Sequence, residues 1–343
     1  MDKQTYMIEQ LKTLTGIPSP TGMTGAVTDH LLAELTRLGF RPERTPKGTV
    51  ICCLGGEGHP VLLSAHVDTL GAMVRAIKGN GHLRYTHLGG YDDNNIENEN
   101  ILVHTAEGKT YSGTVYSSKA SAHVWGSQSA TPRSDEFLEV ILDEDVHTTA
   151  AVEALGIAVG DFISLDPRTV ITESGYIKSR HLDDKASSAV LLTLAREVAE
   201  GRVTLGRKVY IVFTVYEEVG HGASALGKLA DVEDMIAVDM GCVGDDLTCT
   251  EQQVSICAKD SAGPYDYDMV SRLVALAKEG GVDYAVDVYP HYSSDASAAL
   301  RSGHDVKAAL IGPGVHASHG MERTHWNGLK ATIELIGLYL GAE

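Results

Sequence analysis

The chain has 343 residues, 43% hydrophobic and 22% charged, a composition that permits a large buried core and more than one domain. With 28 Lys and Arg against 46 Asp and Glu, its formal net charge of −18 leaves no basic excess to neutralise phosphates, so nucleic acid and anionic membranes are poor partners. No run approaches the ~20 apolar residues of a membrane span, and five cysteines, with Cys52 and Cys53 adjacent and no CxxC pair, argue against a disulfide framework or a thiolate zinc site.

The N-terminal MDKQTYMIEQLKTL lacks the apolar core and small-residue cleavage site of a secretory signal and reads as an amphipathic helix, so a cytoplasmic, reducing location is expected. A second helix is expected near residues 25–38, followed by VLLSAHVD, an apolar run with the character of a strand buried on both faces. From about Val74 to Ser164 the pattern changes to short alternating stretches, HLRYTHL, NILVHTA and FLEVILDE, separated by Gly, Asn, Asp and Ser, which predicts an all-β insert. Beyond it KASSAVLLTLAREVAE, KVYIVFTV, ASALGKLA, MIAVDM, VSICA, DMVSRLVALAKE, VKAALIG and WNGLKATIELIGLYL alternate helical with strand patterns. The prediction is an α/β layer architecture with a mostly parallel central sheet, built from residues 1–73 and 165–343, with 74–164 as a small inserted β-domain.

Ligand sites in open α/β sheets form at the carboxyl ends of strands, and five such positions stand out. His66 and Asp68 in SAHVDTLG are two apart, on one side of an extended chain, so one can bind a metal while the other orients its imidazole. Asp183 in SRHLDDKAS precedes an apolar helix, which leaves Asp183 and Asp184 open as helix N-caps. Glu217 and Glu218 in FTVYEEVGHG follow the most apolar strand, where adjacent buried carboxylates need a cation or a shared proton. Asp239 ends MIAVDMG, and His319 stands in HASHGMERTH. Singly each has a structural reading as turn, cap or solvated side chain; together two His and several carboxylates match the ligands of a dinuclear zinc, cobalt or manganese centre.

At these residues the chain resembles the M42 family of metallopeptidases, which includes glutamyl and tetrahedral aminopeptidases, some of them labelled cellulases. AHVDTLGAMV, HLGGYDD, ALGIAVGDFI, RHLDDKAS, YEEVGHGA, AVDMG and SSDASAAL occur in the family's order over nearly the whole chain. The resemblance implies a zinc-peptidase-like αβα sandwich and two divalent metal ions per subunit, zinc first, with cobalt or manganese as alternatives. His66 and Asp239 become the outer ligands of one ion, Glu218 and His319 those of the other, and Asp183 the bridge. Glu217 becomes the general base and Asp68 the partner of His66. The stretch HASHGMERTH departs from the family's usual Arg-Tyr-x-His-Ser, so His316 stands as the alternate to His319.

Two adjacent cations acidify a water and polarise a scissile carbonyl, while a carboxylate outside the ligand set moves the proton to the leaving amine. The implied activity is removal of N-terminal residues from short peptides by a homo-oligomer, dimer-based and dodecameric, with residues 74–164 serving as lid and interchain surface. A preference for acidic first residues would require a basic group, for which Lys185, Arg301 and Arg323 are candidates that sequence does not place. His123 in the insert is either a lid residue or part of a sheet face, and His82 and His87 have the spacing of a covered sheet face. A deacylase acting on an unusual small peptide keeps the same metal centre; glycoside hydrolysis would need two carboxylates and no metal.

Overall fold

The run VLLSAH forms the strand Val61–His66, buried at every position, because it lies inside a sheet covered on both faces. In the computed structural model, which describes residues 1–126, 130–226 and 231–341, this strand runs parallel to Val209–Thr214 on one side and Asp234–Val238 on the other. Asp234–Val238 in turn runs parallel to Lys307–His316. Val61, Leu63 and Ala65 pack with the helices Lys3–Gly16, Gly25–Arg37, Leu182–Ala199, Tyr267–Gly280 and Trp326–Gly341. Leu62 points the other way, into a cluster with Val212, Met235, Leu310 and the Ala296 and Ala299 of helix Asp295–Arg301. Burial on both faces replaces the period-2 alternation of a half-exposed strand with an unbroken apolar run.

The sheet is mixed, which corrects the expectation of a mostly parallel one. Val50–Gly55 pairs antiparallel with Val209–Thr214, Val254–Asp260 antiparallel with Lys307–His316, and Glu322–His325 antiparallel with Tyr176–Ser179. Of the antiparallel pairs only a tight return such as that from Glu43–Arg44 to Val50–Gly55 is local; the three named here join strands remote in sequence, as the parallel pairs do. Apolar patterning does not separate the two, because both directions bury a central strand equally.

The chain divides into two units, Met1–Asp68 with Arg168–Glu343, and Thr69–Pro167. The second is a closed barrel whose strands follow the order Gly71–Ile77, Leu83–Leu88, Leu138–Leu142, Thr110–Ser117, Asn100–His104 and Phe162–Leu165. Inward residues such as Val74, Tyr85, Val103, Val115 and Val140 give it a core of its own. It is not all β: the short helices Ala122–Trp125 and Thr149–Ala154 belong to it. The second helix begins where Thr148 Oγ1 accepts the Ala151 N–H at 3.2 Å, a capping signal obscured by the surrounding strand-like alternation. In ASALGKLA the described residues show only a 3-10 turn, Gly222–Ala225, and residues 227–230 lie outside those described. Among the described residues no helix is long and apolar enough to cross a membrane.

Candidate metal centre

Four neighbouring parallel strands end at one edge of the sheet, and the chain just past those ends carries, in spatial order, Glu217 and Glu218, His66, Asp239 and His319. Parallel pairing produces this convergence, because it places all the carboxyl ends together where the backbone leaves the sheet. Asp183 arrives from the first turn of helix Leu182–Ala199. It stands between the two histidines, with Oδ1 2.9 Å from His66 Nε2 and Oδ2 3.3 Å from His319 Nε2. Glu218 Oε2 is 3.7 Å from His319 Nε2, and Glu217 Oε2 is 3.8 Å from His66 Nε2. Ligand atoms of His66, Asp183 and Asp239 all lie within 4.8 Å of one another.

Asp68 is fully buried beside His66. His66 Nδ1 is 3.0 Å from the backbone carbonyl oxygen of Asp68 and 3.7 Å from Oδ1, so the main chain is the imidazole's nearer partner. The carboxylate instead holds the Glu217–Glu218 turn: Oδ1 accepts the Glu217 N–H at 3.1 Å and Oδ2 the Glu218 N–H at 3.4 Å. Thr21 fixes it from behind, its hydroxyl donating to Oδ2 at 2.7 Å. His181 precedes the helix in a left-handed conformation, and Asp183 and Asp184 have non-helical backbone angles, so the helix is kinked at its start. Asp184 turns inward, where its Oδ2 accepts the His66 N–H at 3.2 Å.

Taken as protein groups alone, the carboxylates oppose one another. Burial first, and then Asp183, pushes Asp239 up to about 7. Burial, joined by Asp239, Asp295 and Glu218, raises Glu217 well above the usual carboxylate range against the pull of His66. Burial and Asp183 do the same to Glu218, and Glu322 beside them is pushed up to about 8 by burial and then Asp183. Asp183 is the exception: burial pushes it up, but hydrogen bonds from His319 and His66 outweigh that and hold it low. Such crowding is relieved by protons or by cations, and two imidazoles among carboxylates are a donor set suited to zinc, cobalt or manganese. The residues therefore fit a divalent metal centre. Its open side is that of His319, whose side chain is 39% exposed against 1% for His66.

His66, Asp68, Asp183, Glu217, Glu218, Asp239 and His319 thus come together in the first unit. His316 is exposed and stands opposite Arg323 in the strand pairing. His325 Nε2 lies 2.9 Å from the Ser174 carbonyl oxygen. Lys185 is buried and donates to the carbonyls of Leu14 and Ile17 at 2.8 Å each, so it ties down a helix end. Arg323 lies over the Tyr176 ring at 3.9 Å, and Arg301 is exposed at a helix end. In the second unit His123 is exposed, His82 pairs with Glu139 at 2.9 Å and His87 with Asp93 at 2.8 Å. Sequence reasoning passed over Thr21 and Glu322; the only signal for either was the unusual GMERTH stretch that contains Glu322.

Residues 48–335 match the family described as M42 glutamyl aminopeptidase. The chain is 45% identical over 335 residues to the "Putative aminopeptidase YhfE" of Bacillus subtilis (strain 168), covering 97% of this chain and 96% of that protein. It is 27% identical over 244 residues to the glutamyl aminopeptidase of Lactococcus lactis subsp. cremoris (strain MG1363), covering 70% and 68%. The fold is similar to that of the TET1 peptidase of Pyrococcus horikoshii, described as assembling into a tetrahedron or a large octahedral shell, with a TM-score of 0.87 at 23% identity over 98% of this chain and 100% of that one. Matched by the family over most of its length and 45% identical to YhfE, the chain belongs to the M42 aminopeptidase family.

Proposed function

We propose that this aminopeptidase removes N-terminal residues from short peptides at a centre for two divalent metal ions, zinc first and cobalt or manganese as alternatives. His66 and Asp239 are the outer ligands of one ion, Glu218 and His319 those of the other, and Asp183 is shared. The observation that carries this reading is the position of Asp183, one oxygen 2.9 Å from His66 and the other 3.3 Å from His319. When bound, the ions supply Lewis acidity, lowering the pKa of water and polarising a peptide carbonyl. Glu217 is the general base: it accepts a proton from the attacking water and returns it to the leaving amine. Asp68 aims it by holding its backbone N–H at 3.1 Å. The fold is read as an αβα sandwich of the zinc-peptidase type, with residues 74–164 as lid and association surface of a dimer-based, dodecameric homo-oligomer in the cytoplasm. The relationship to a TET peptidase described as forming shells supports the oligomer.

The deciding experiment offers the metal-loaded protein aminoacyl anilides with free and with blocked amines. Cleavage of the free substrates alone is expected. Equal or better cleavage of the blocked ones would replace the aminopeptidase reading with a deacylase.

A further inference from the structure

Glu322 is a buried residue, 2% exposed, for which the reading above has no task. It opens strand Glu322–His325 and lies opposite Ser179 at the end of Tyr176–Ser179, the strand that leads into Asp183. Its two oxygens reach different chain segments: Oε2 accepts the N–H of Asp183 at 3.0 Å and Oε1 the N–H of His319 at 3.0 Å. The side chains of those same residues face each other at 3.3 Å. One carboxylate therefore clamps the backbones of the two groups assigned to share an ion. His319 has φ 62°, a left-handed conformation costly for a side chain with a Cβ, and its bonded N–H helps hold it there.

We infer that Glu322 is a positioning residue that sets the separation of Asp183 and His319 and thereby the affinity of the ion both would hold. The inference rests on the ligand assignment proposed above. Both oxygens are needed, because a glutamine in this place keeps one acceptor and turns an NH2 donor toward the other N–H, so one of the two bonds must break.

The test is competition between the purified, metal-stripped chain and a chromophoric chelator for zinc, with cobalt absorption spectra as a second readout, on wild type, Glu322→Gln and His319→Ala. For Glu322→Gln the expected result is the ion assigned to His319 and Asp183 weakened about 10–100-fold, the range of lost partners behind a ligand, and the other, which keeps His66 and Asp239, weakened less. Turnover is expected to recover as zinc is raised, and the circular dichroism of the metal-stripped form to match wild type. If Glu322→Gln binds both ions as wild type does while His319→Ala loses one, the inference is overturned and the ligand assignment stands. If His319→Ala keeps both ions, assignment and inference fall together. Glu322→Asp, which keeps two acceptors on a shorter arm, decides the matter if the glutamine variant does not fold: the same selective weakening supports the inference, and equal or no loss of the two ions overturns it.

Discussion

At the scale of single residues, the distinction that matters is between ligand and base within the Glu217–Glu218 pair. Their neighbours differ: Glu217 is nearest His66, at 3.8 Å, and Glu218 nearest His319, at 3.7 Å. Glu217→Gln preserves shape and removes only the proton acceptor, so turnover should fall by about 10²–10⁴ with both ions retained. Metal analysis beside kinetics checks this, and loss of metal in step with activity would make Glu217 a ligand. Asp183 is the corresponding test of sharing. Asp183→Ala should abolish binding of both ions, whereas Asp239→Ala or His66→Ala should weaken chiefly one, as metal stoichiometry will show. One ion firmly kept in Asp183→Ala would leave the shared position unassigned.

At the scale of elements, the site depends on how closely strands and turns approach. Gly312 lies in Lys307–His316 beside the end of the neighbouring strand, where the Asp239 N–H donates to the Ile311 carbonyl at 2.9 Å. A Cβ at Gly312 would overlap the backbone oxygen of Asp239, which has no flexible end to move aside. Gly312→Ala should therefore destabilise the fold by about 1–3 kcal/mol and, by displacing Asp239, weaken metal binding; a melting curve and a metal titration measure the two effects. The helix Gly25–Arg37 carries a pH-dependent contribution. Hydrogen bonds from Arg37 hold the Glu34 carboxyl below its ordinary 4.5, against the opposing effect of burial. A depressed carboxylate stabilises the fold above its unfolded pKa and loses that contribution as pH falls through the folded value. Wild type should thus melt above Arg37→Ala at pH 7, and the difference should shrink steadily below about pH 4.5. A difference that persisted unchanged at pH 2 would mean that Arg37 acts through packing. The turns at the sheet edge are also specialised: His181 and Tyr216 adopt left-handed conformations next to Asp183 and Glu217, the kind of backbone cost that active sites retain.

At the scale of the whole molecule, the barrel unit has its own core, and its closure removes the free strand edges that separate short β-stretches would offer for association. Light scattering at near-physiological salt should give the mass of a homo-oligomer, and removal of the insert a smaller species. A wild-type monomer that trims long, folded substrates would refute both the assembly and the restriction to short peptides. Much of this molecule was legible from the chain alone. Apolar runs ending in His66, Glu217, Glu218 and Asp239 announced strand ends with polar chemistry, because burial on both faces demands an unbroken apolar strand and only its exit tolerates charge. The ordered motifs indicated the family before any coordinate. Tertiary structure alone decided the antiparallel members of the sheet, the closure of the barrel and which histidine of HASHGMERTH faces Asp183. It also decided that the Asp68 carboxylate accepts the N–H groups of Glu217 and Glu218, and that Thr21 meets Asp68 and Glu322 meets Asp183 from 47 and 139 residues away along the chain. These are contacts between segments remote in sequence. Local pattern records whether a residue is buried, whereas the partner it meets there is set by how the whole chain packs.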